Sequence, residues 1–223
     1  MSFIKISPGN TKLGAIPSVS LPAVLTCRTC DCQKKCYAKR LENLRPAVRK
    51  AYQNNLDVLQ DDPGTYWREV EAAIMLSRFF RFHVSGDIPD KDYFEHMVEV
   101  AKRNPHCEIL CFTKKFEIVN EYISEEYLAG IRGTTIHPTL CNMYENVVRA
   151  VIPDNLHIIF SAWVGLDSVN PFSLPVAHVR YRDGTTTASD NALECGGNCS
   201  DCAVTEGGCW SLKGGEEVVF NEH

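Results

Sequence analysis

Cysteine thiols are the side chains of this sequence with the clearest chemical potential, and eight of its eleven cysteines lie in two short clusters. Three or four thiolates that converge within a few ångströms can hold a metal ion or an iron–sulfur cluster, and gaps of two or three residues bring them together. Glycines within the second cluster permit the tight turns that such wrapping requires. The candidate metal ligands are Cys27, Cys30, Cys32 and Cys36 in the first cluster and Cys195, Cys199, Cys202 and Cys209 in the second.

The spacing of the two clusters favours iron–sulfur ligation over zinc. Structural zinc sites usually combine two Cys-x-x-Cys pairs that are a dozen or more residues apart, whereas each cluster here is compact and self-contained. Compact runs of cysteine are more typical of iron–sulfur proteins. We therefore predict one or two [4Fe–4S] clusters, with zinc as the alternative metal. Disulfides or ordinary buried thiols remain the non-metal alternatives.

Composition describes an ordinary globular chain. The 223 residues are 44% hydrophobic and 23% charged, with a formal net charge of −5. An acidic balance argues against a general binder of phosphate backbones, so nucleic acid is an unlikely partner on this criterion. No apolar run approaches the length of a membrane span, and the first residues lack the apolar core of a signal peptide. We expect a cytoplasmic protein that does not bind membranes.

The middle of the sequence alternates between helical and extended patterns, which indicates βαβ units and a parallel sheet. One apolar and one polar face on the strands suits helices outside and a functional interior, so the predicted fold class is α/β, a partial (β/α) barrel. We expect the barrel in residues 1–188 and a Cys-rich metal-binding appendage in residues 189–223. The predicted helices span 46–59, 65–77, 90–104, 116–127 and 140–152, and the predicted strands span 79–87, 108–114, 157–163 and 177–181.

The strand predicted over 79–87 carries the candidate catalytic groups. Side chains alternate along a strand, so Arg81, His83, Ser85 and Asp87 are expected to share the face opposite Phe80 and Phe82. His83 is a candidate for proton transfer, Asp87 for accepting hydrogen bonds from an ammonium group, and Arg81 for binding a carboxylate. Lys114, after the next strand, is expected to face the same cavity.

These residues resemble a family of phage proteins known as gene product eighty-eight. The resemblance spans about residues 9–165 and rests on Thr26-Cys27, Asp31-Cys32, Cys36-Tyr37-Ala38, the run from His83 to Asp87 and Phe112-Thr113-Lys114. The layout is similar to a shortened radical S-adenosylmethionine barrel. That similarity implies three ligands, Cys27, Cys32 and Cys36, with Cys30 as an addition. It also implies that Ser85-Gly86-Asp87 holds the amino group of S-adenosylmethionine.

Two functional hypotheses follow. The first is an iron–sulfur enzyme that reductively cleaves S-adenosylmethionine to give a carbon radical, with a reductant protein as partner, an unidentified substrate and a structural or electron-transfer role for the second cluster. The second is a non-catalytic, zinc-stapled phage or phage-like protein associated with nucleic acid. Its local basic patch would be Lys34-Lys35 beside Lys39-Arg40.

Overall fold

The protein is built on one parallel β-sheet, described by a computed structural model that covers residues 3–27, 31–131, 143–162 and 169–222. All pairs of neighbouring strands in the sheet are parallel, in the order β1-β2-β3-β4-β5-β7-β6. The α/β class with a parallel sheet is therefore confirmed. The strands are β1 (Ser18–Val19), β2 (Phe79–Phe82), β3 (Glu108–Thr113), β4 (Leu156–Ser161), β5 (Val176–Arg180), β6 (Leu193–Glu194) and β7 (Glu217–Asn221).

The helices lie between strands of the sheet, and most of those predicted begin within two residues of the predicted start. Asp62 accepts a hydrogen bond from the Thr65 amide at 3.0 Å before one helix, and Asp90 accepts one from the Tyr93 amide at 2.9 Å before another. The helices are α1 (Ala23–Cys27), α2 (Tyr37–Leu44), α3 (Pro46–Asp61), α4 (Pro63–Met75), α5 (Lys91–Arg103), α6 (Phe116–Ile131), α7 (Met143–Val151) and α8 (Cys199–Val204). Short 3₁₀ turns span Asp31–Lys34 and Gly208–Trp210.

The two faces of the sheet have different coverings, which we call the helix face and the inner face. Phe80, Phe82 and Phe160 belong to the large core on the helix face, where the strands pack against the long helices. On the inner face the alternate residues, Leu110 and Ile159 among them, form a smaller cluster. Its other buried members are Leu13, Ile16, Ala177, Ala203, Trp210 and Val218.

Residues 189–222 belong to the sheet as well as to its covering. Strand β7 lies between β5 and β6, although no strand was predicted after residue 181. Val218 of β7 is buried in the inner-face cluster, together with Ala203 of α8 and Trp210. The C-terminal segment is thus an integral layer, and its strand was missed because Val218-Val219-Phe220 is a short apolar run without long-range periodicity.

Strand β2 is shorter than predicted. The strand ends at Phe82, because His83 adopts a positive φ of 58° and breaks the extended backbone. The predicted alternation holds up to Phe82. Residues 83–87 form a loop with its own geometry.

The integration of β7 predicts that a small change in it destabilises the whole domain. We expect Val218→Ala to lower the free energy of unfolding by about 2 kcal/mol, because the deleted methyl groups leave a gap in the inner-face cluster. Urea unfolding followed by circular dichroism measures this change. Val204→Ala is the matched control, since Val204 is 78% exposed and its substitution should cost less than about 0.5 kcal/mol. Equal, negligible effects would indicate an independent appendage.

Candidate functional site

The candidate site lies at the carboxyl edge of the sheet, where the loop after β2 closes onto the segment after β1. Gly86 makes this closure possible, with a φ of +81° and no room for a side chain. A Cβ atom there would lie 2.6 Å from the Leu21 carbonyl oxygen and 2.8 Å from the Thr26 hydroxyl oxygen. The Leu21 amide donates to the Ser85 carbonyl at 3.1 Å. The contact therefore holds residues 20–26, which lead directly to Cys27.

Asp87 connects three segments through its buried carboxylate and its backbone amide. Oδ1 accepts a hydrogen bond from the Thr113 hydroxyl at 2.6 Å and one from the Ile88 amide at 2.8 Å. Oδ2 accepts one from the Lys114 amide at 2.9 Å. The Asp87 amide donates to the Thr26 hydroxyl at 3.0 Å. Burial raises the pKa of Asp87, and the hydrogen bonds that its carboxylate accepts from Thr113, Lys114 and Ile88 oppose the shift. Asp87 thus braces the ends of β2 and β3 against α1.

Ser85 has an equally specific partner, the buried side chain of Glu42 on α2. The Ser85 hydroxyl donates to Glu42 Oε1 at 2.7 Å, and the Ala23 amide donates to the same oxygen at 2.9 Å. This carboxylate ties α2 to the loop after β2 and to the start of α1. Sequence reasoning missed Glu42 and Thr26. The only local signal for Glu42 is its place one turn after the buried Ala38.

Two thiols of the first cluster are brought to this edge. Cys27 ends α1, and Cys36 precedes α2, where its sulfur accepts a hydrogen bond from the Lys39 amide at 3.5 Å. Burial, then the Asp87 carboxylate, raises the pKa of Cys27 to about 12, while Lys114 and Lys115 lower it. Cys36 also lies within the electrostatic reach of Cys27. Cys27 therefore lies within electrostatic reach of Asp87 and Lys114 at this edge of the sheet.

The remaining cysteines of the first cluster behave differently. Cys32 is buried and disulfide-bonded, and Cys30 lies outside the described residues. Cys107 and Cys111, which stand apart from both clusters, are fully buried thiols on the helix side of the sheet. They behave as small apolar side chains.

His83 does not face the candidate site, so the prediction for this residue is wrong. Its ring packs against Phe82 and Tyr93 on the helix face, with ring centroids 5.9 and 5.3 Å away. Val84 instead packs against the inner-face cluster. The positive φ at His83 reverses the expected alternation. Both ring nitrogens of His83 are buried without a hydrogen-bond partner in the described part of the chain, and burial lowers its pKa to about 3.

Arg81 does occupy the inner face, as predicted, but its partner there is a thiol of the second cluster. Its Nη1 atom donates to Cys199 Sγ at 3.6 Å, and its guanidinium lies 4.8 Å from the centroid of the Phe112 ring. Its charge also acts on Tyr37, which follows Cys36. Burial raises the pKa of the Tyr37 phenol, and Arg81 partly offsets that rise. Arg81 therefore lies electrostatically between the two groups of thiols.

The second cluster gathers its four thiols over the inner face. Cys195 follows β6, Cys199 and Cys202 lie in α8, and Cys209 lies in the second 3₁₀ turn. Burial, then the charges of Cys195 and Cys199, raises the pKa of Cys209 to about 12, and Arg81 opposes the shift. The chain wraps closely here, since a Cβ on Gly208 would lie 2.7 Å from Cys202 Sγ. We call these four residues the inner thiols.

The described thiols do not form a closed metal site. Among the residues that the structure describes, no three His, Cys, Asp or Glu side chains converge as metal ligands do. The inner thiols are neighbours and share a cation.

Fold and site together define a parallel α/β protein with one thiol group at the carboxyl edge of its sheet and another on its inner face. The chain belongs to the gene product 88 family, whose sequence profile matches residues 4–165. The match contains Cys27, Cys36, the loop after β2 and Lys114, and it ends before the inner thiols. The described residues include no helix long and apolar enough to cross a membrane.

One relative is found among curated proteins at significant similarity. It is the gene 88 protein of Mycobacterium phage L5, which is 29% identical over 121 residues. The alignment covers 48% of this chain and 51% of that protein, so the chain spans about half the length of the relative it matches. No solved structure matches the chain.

The contact at Gly86 predicts a cost beyond that of backbone strain. We expect Gly86→Ala to lower the free energy of unfolding by about 3 kcal/mol, because the new Cβ overlaps Leu21 and Thr26 as well as straining φ. Gly184→Ala is the control, since Gly184 has a φ of +85° with no atom within 4 Å of its Cβ position, and it should cost about 1 kcal/mol. Chemical denaturation measures both. Equal costs would show that the loop can move away from residues 20–26.

The buried imidazole of His83 predicts a loss of stability in acid. An unfolded histidine titrates near pH 6.5, whereas burial holds the pKa of His83 at about 3. Protons therefore bind the unfolded chain first, and stability present above about pH 6.5 is lost as the pH falls.

His83→Asn keeps a polar residue that tolerates positive φ and removes this titration. The variant should lose about 2 kcal/mol less than the parent between about pH 7 and about pH 5. Urea unfolding at each pH measures the difference. The same substitution at the exposed His96 is the matched control. Parallel pH profiles for parent and His83→Asn would contradict the buried, unpaired imidazole.

Proposed function

We propose that this protein is an iron–sulfur protein on a sheet that forms part of a (β/α) barrel. Its inner thiols hold one cluster, and Cys27 and Cys36, together with Cys32 once its disulfide is reduced, hold another. The barrel is supported by the strand order, because β1 to β5 follow one another across the sheet without the reversal of a doubly wound fold. Cys27 and Cys36 lie at the carboxyl edge, where such folds place their sites.

The observation that carries the proposal is the gathering of the inner thiols from three separate elements beside the half-buried cation of Arg81. Strand alternation places Arg81 on this face, where its neighbours in the register, Ser18 and Leu110, offer no negative charge to its guanidinium. Its guanidinium instead contacts Cys199, and Lys12 lies within electrostatic reach of Cys195 and Cys199. A thiol must lose its proton to bind metal, and nearby cations such as these stabilise the resulting thiolate.

The donor set fits an iron–sulfur cluster in its chemistry. Four thiolates are the usual ligands of such clusters, and hydrogen bonds to sulfur tune their potential. When bound, the cluster supplies one-electron transfer. Arg81 would donate its hydrogen bond to the sulfur of Cys199 and offset the negative charge of the thiolates. Trp210 and the apolar residues around it would keep water from this face.

The carboxyl-edge site has a different electrostatic setting. Lys114 and Lys115 favour the thiolate of Cys27, whereas the Asp87 carboxylate opposes it. The Asp87 brace and the Gly86 contact hold the end of α1, and so they position Cys27 relative to Cys36. These groups orient the thiols and do not themselves bind metal.

S-Adenosylmethionine would contact this edge through groups other than those the family resemblance implies. The Ser85 hydroxyl is already bound to Glu42, and the Asp87 carboxylate is bound to Thr113, Ile88 and Lys114. Gly86 has no space beside it. The ammonium group of Lys114 remains as a partner for a carboxylate, so Lys114 is the side chain that would recognise that part of the cofactor.

Metal analysis of the protein purified without oxygen tests the proposal. We expect about four iron atoms and four acid-labile sulfides for each cluster, with the visible absorption of thiolate-bound iron. The double variant Cys199→Ser with Cys202→Ser should remove only the cluster at the inner thiols. The double variant Cys27→Ser with Cys36→Ser should remove only the cluster at the carboxyl edge. Iron and sulfide are each measured per mole of folded protein.

Cys107→Ala is the matched control, because Cys107 is buried apart from both thiol groups and its loss should leave the iron content unchanged. A colourless protein with one zinc for each set of four cysteines would support the zinc-stapled alternative and overturn the iron–sulfur proposal. The absence of both metals from oxygen-protected protein would overturn it as well.

A further inference from the structure

Positive charge is concentrated in one short segment beside the carboxyl-edge site. Residues 34–50 contain seven basic side chains and one carboxylate, in a chain whose formal net charge is −5. The carboxylate belongs to Glu42, which is buried and hydrogen-bonded to Ser85. We call the seven residues the basic surface: Lys34, Lys35, Lys39, Arg40, Arg45, Arg49 and Lys50.

The basic surface faces solvent. Six of its residues are exposed, and Lys39 is half-buried. Within the described part of the chain, none of the seven forms a salt bridge with a carboxylate. Lys35 is the most engaged, with its ammonium group 4.3 Å from the centroid of the Tyr181 ring and Asp183 within electrostatic reach. Like charges concentrated in residues 34–50 repel one another, so a polyanion that neutralises them would bind favourably.

Helix α2, which carries part of the basic surface, also carries an aromatic side chain at the edge of the thiol site. Tyr37 follows Cys36 at the start of α2, and its hydroxyl donates to the Val84 carbonyl. That hydrogen bond anchors the ring, and 48% of the residue remains exposed. An anchored, exposed aromatic ring among cations is the arrangement on which unpaired bases stack while phosphates meet the cations.

We propose that the basic surface binds single-stranded nucleic acid, with phosphates along α2 and the start of α3 and a base against Tyr37. The acidic net charge does not oppose this, because phosphates within a Debye length respond to the local charges and not to the average over the molecule. The negative charge on the rest of the protein would orient the basic surface toward the nucleic acid. Binding needs no metal, so this proposal is independent of the iron–sulfur proposal.

Fluorescence anisotropy with a labelled oligothymidylate tests the inference on the full chain, with and without reconstituted metal. We expect Arg49→Glu with Lys50→Glu to weaken binding at least ten-fold and to reduce the slope of log affinity against log salt by about 1.4. The matched control reverses two exposed lysines elsewhere, Lys102→Glu with Lys213→Glu, which changes the net charge equally and should leave binding within two-fold.

The ring of Tyr37 is tested by a conservative pair of variants. Tyr37→Ala should weaken binding about ten-fold, whereas Tyr37→Phe retains the stacking face and should stay within two-fold. Circular dichroism of each variant confirms that it is folded.

Three results would overturn the proposal. They are equal losses for the two double reversals, tighter binding of a duplex of the same sequence, and equally tight binding of polyglutamate or of vesicles containing phosphatidylserine. Oligothymidylate binding by a protein that holds no iron even when purified without oxygen would refute the iron–sulfur proposal alone.

Discussion

The close approach of backbone to backbone at Gly86 is the contact on which the carboxyl-edge site depends. Only a residue without a Cβ permits the Leu21 carbonyl to lie where it does. Around that contact, the Thr26 hydroxyl accepts a hydrogen bond from the Asp87 amide, and the Glu42 carboxylate accepts one from the Ser85 hydroxyl. Each hydrogen bond joins a different helix to the loop after β2. The position of Cys27 follows from this set of contacts, since Cys27 comes directly after the held segment.

The second organising feature is the difference between the two faces of the sheet. Long helices cover one face and bury the aromatic residues of β2 and β4. The C-terminal segment covers the other face, with apolar residues and four thiols. Arg81 lies on that inner face and reaches Cys199, while its charge also acts near Cys36. One half-buried cation, Arg81, therefore links two groups of thiols that are far apart in the sequence.

Much of the fold could be predicted because it depends on local signals. The helix over Lys91–Arg103 has a capping aspartate, one apolar face and a terminating Asn104, so its limits were predicted to within one residue. Strand β3 was found by its β-branched and aromatic run. Strand β7 was missed, because five residues beside glycines carry too little pattern to be separated from a turn. The face of His83 was wrong because a positive φ at a histidine leaves no mark in the sequence.

The amino-acid sequence by itself determined the class of the fold, the two sets of cysteines and the segment of unbalanced positive charge, because composition, periodicity and spacing are local properties. Tertiary structure alone decided which groups meet: Glu42 with Ser85, Asp87 with Thr113, and Arg81 with Cys199. Those partners are 43, 26 and 118 residues apart. Only the order and register of the parallel strands bring such distant residues together.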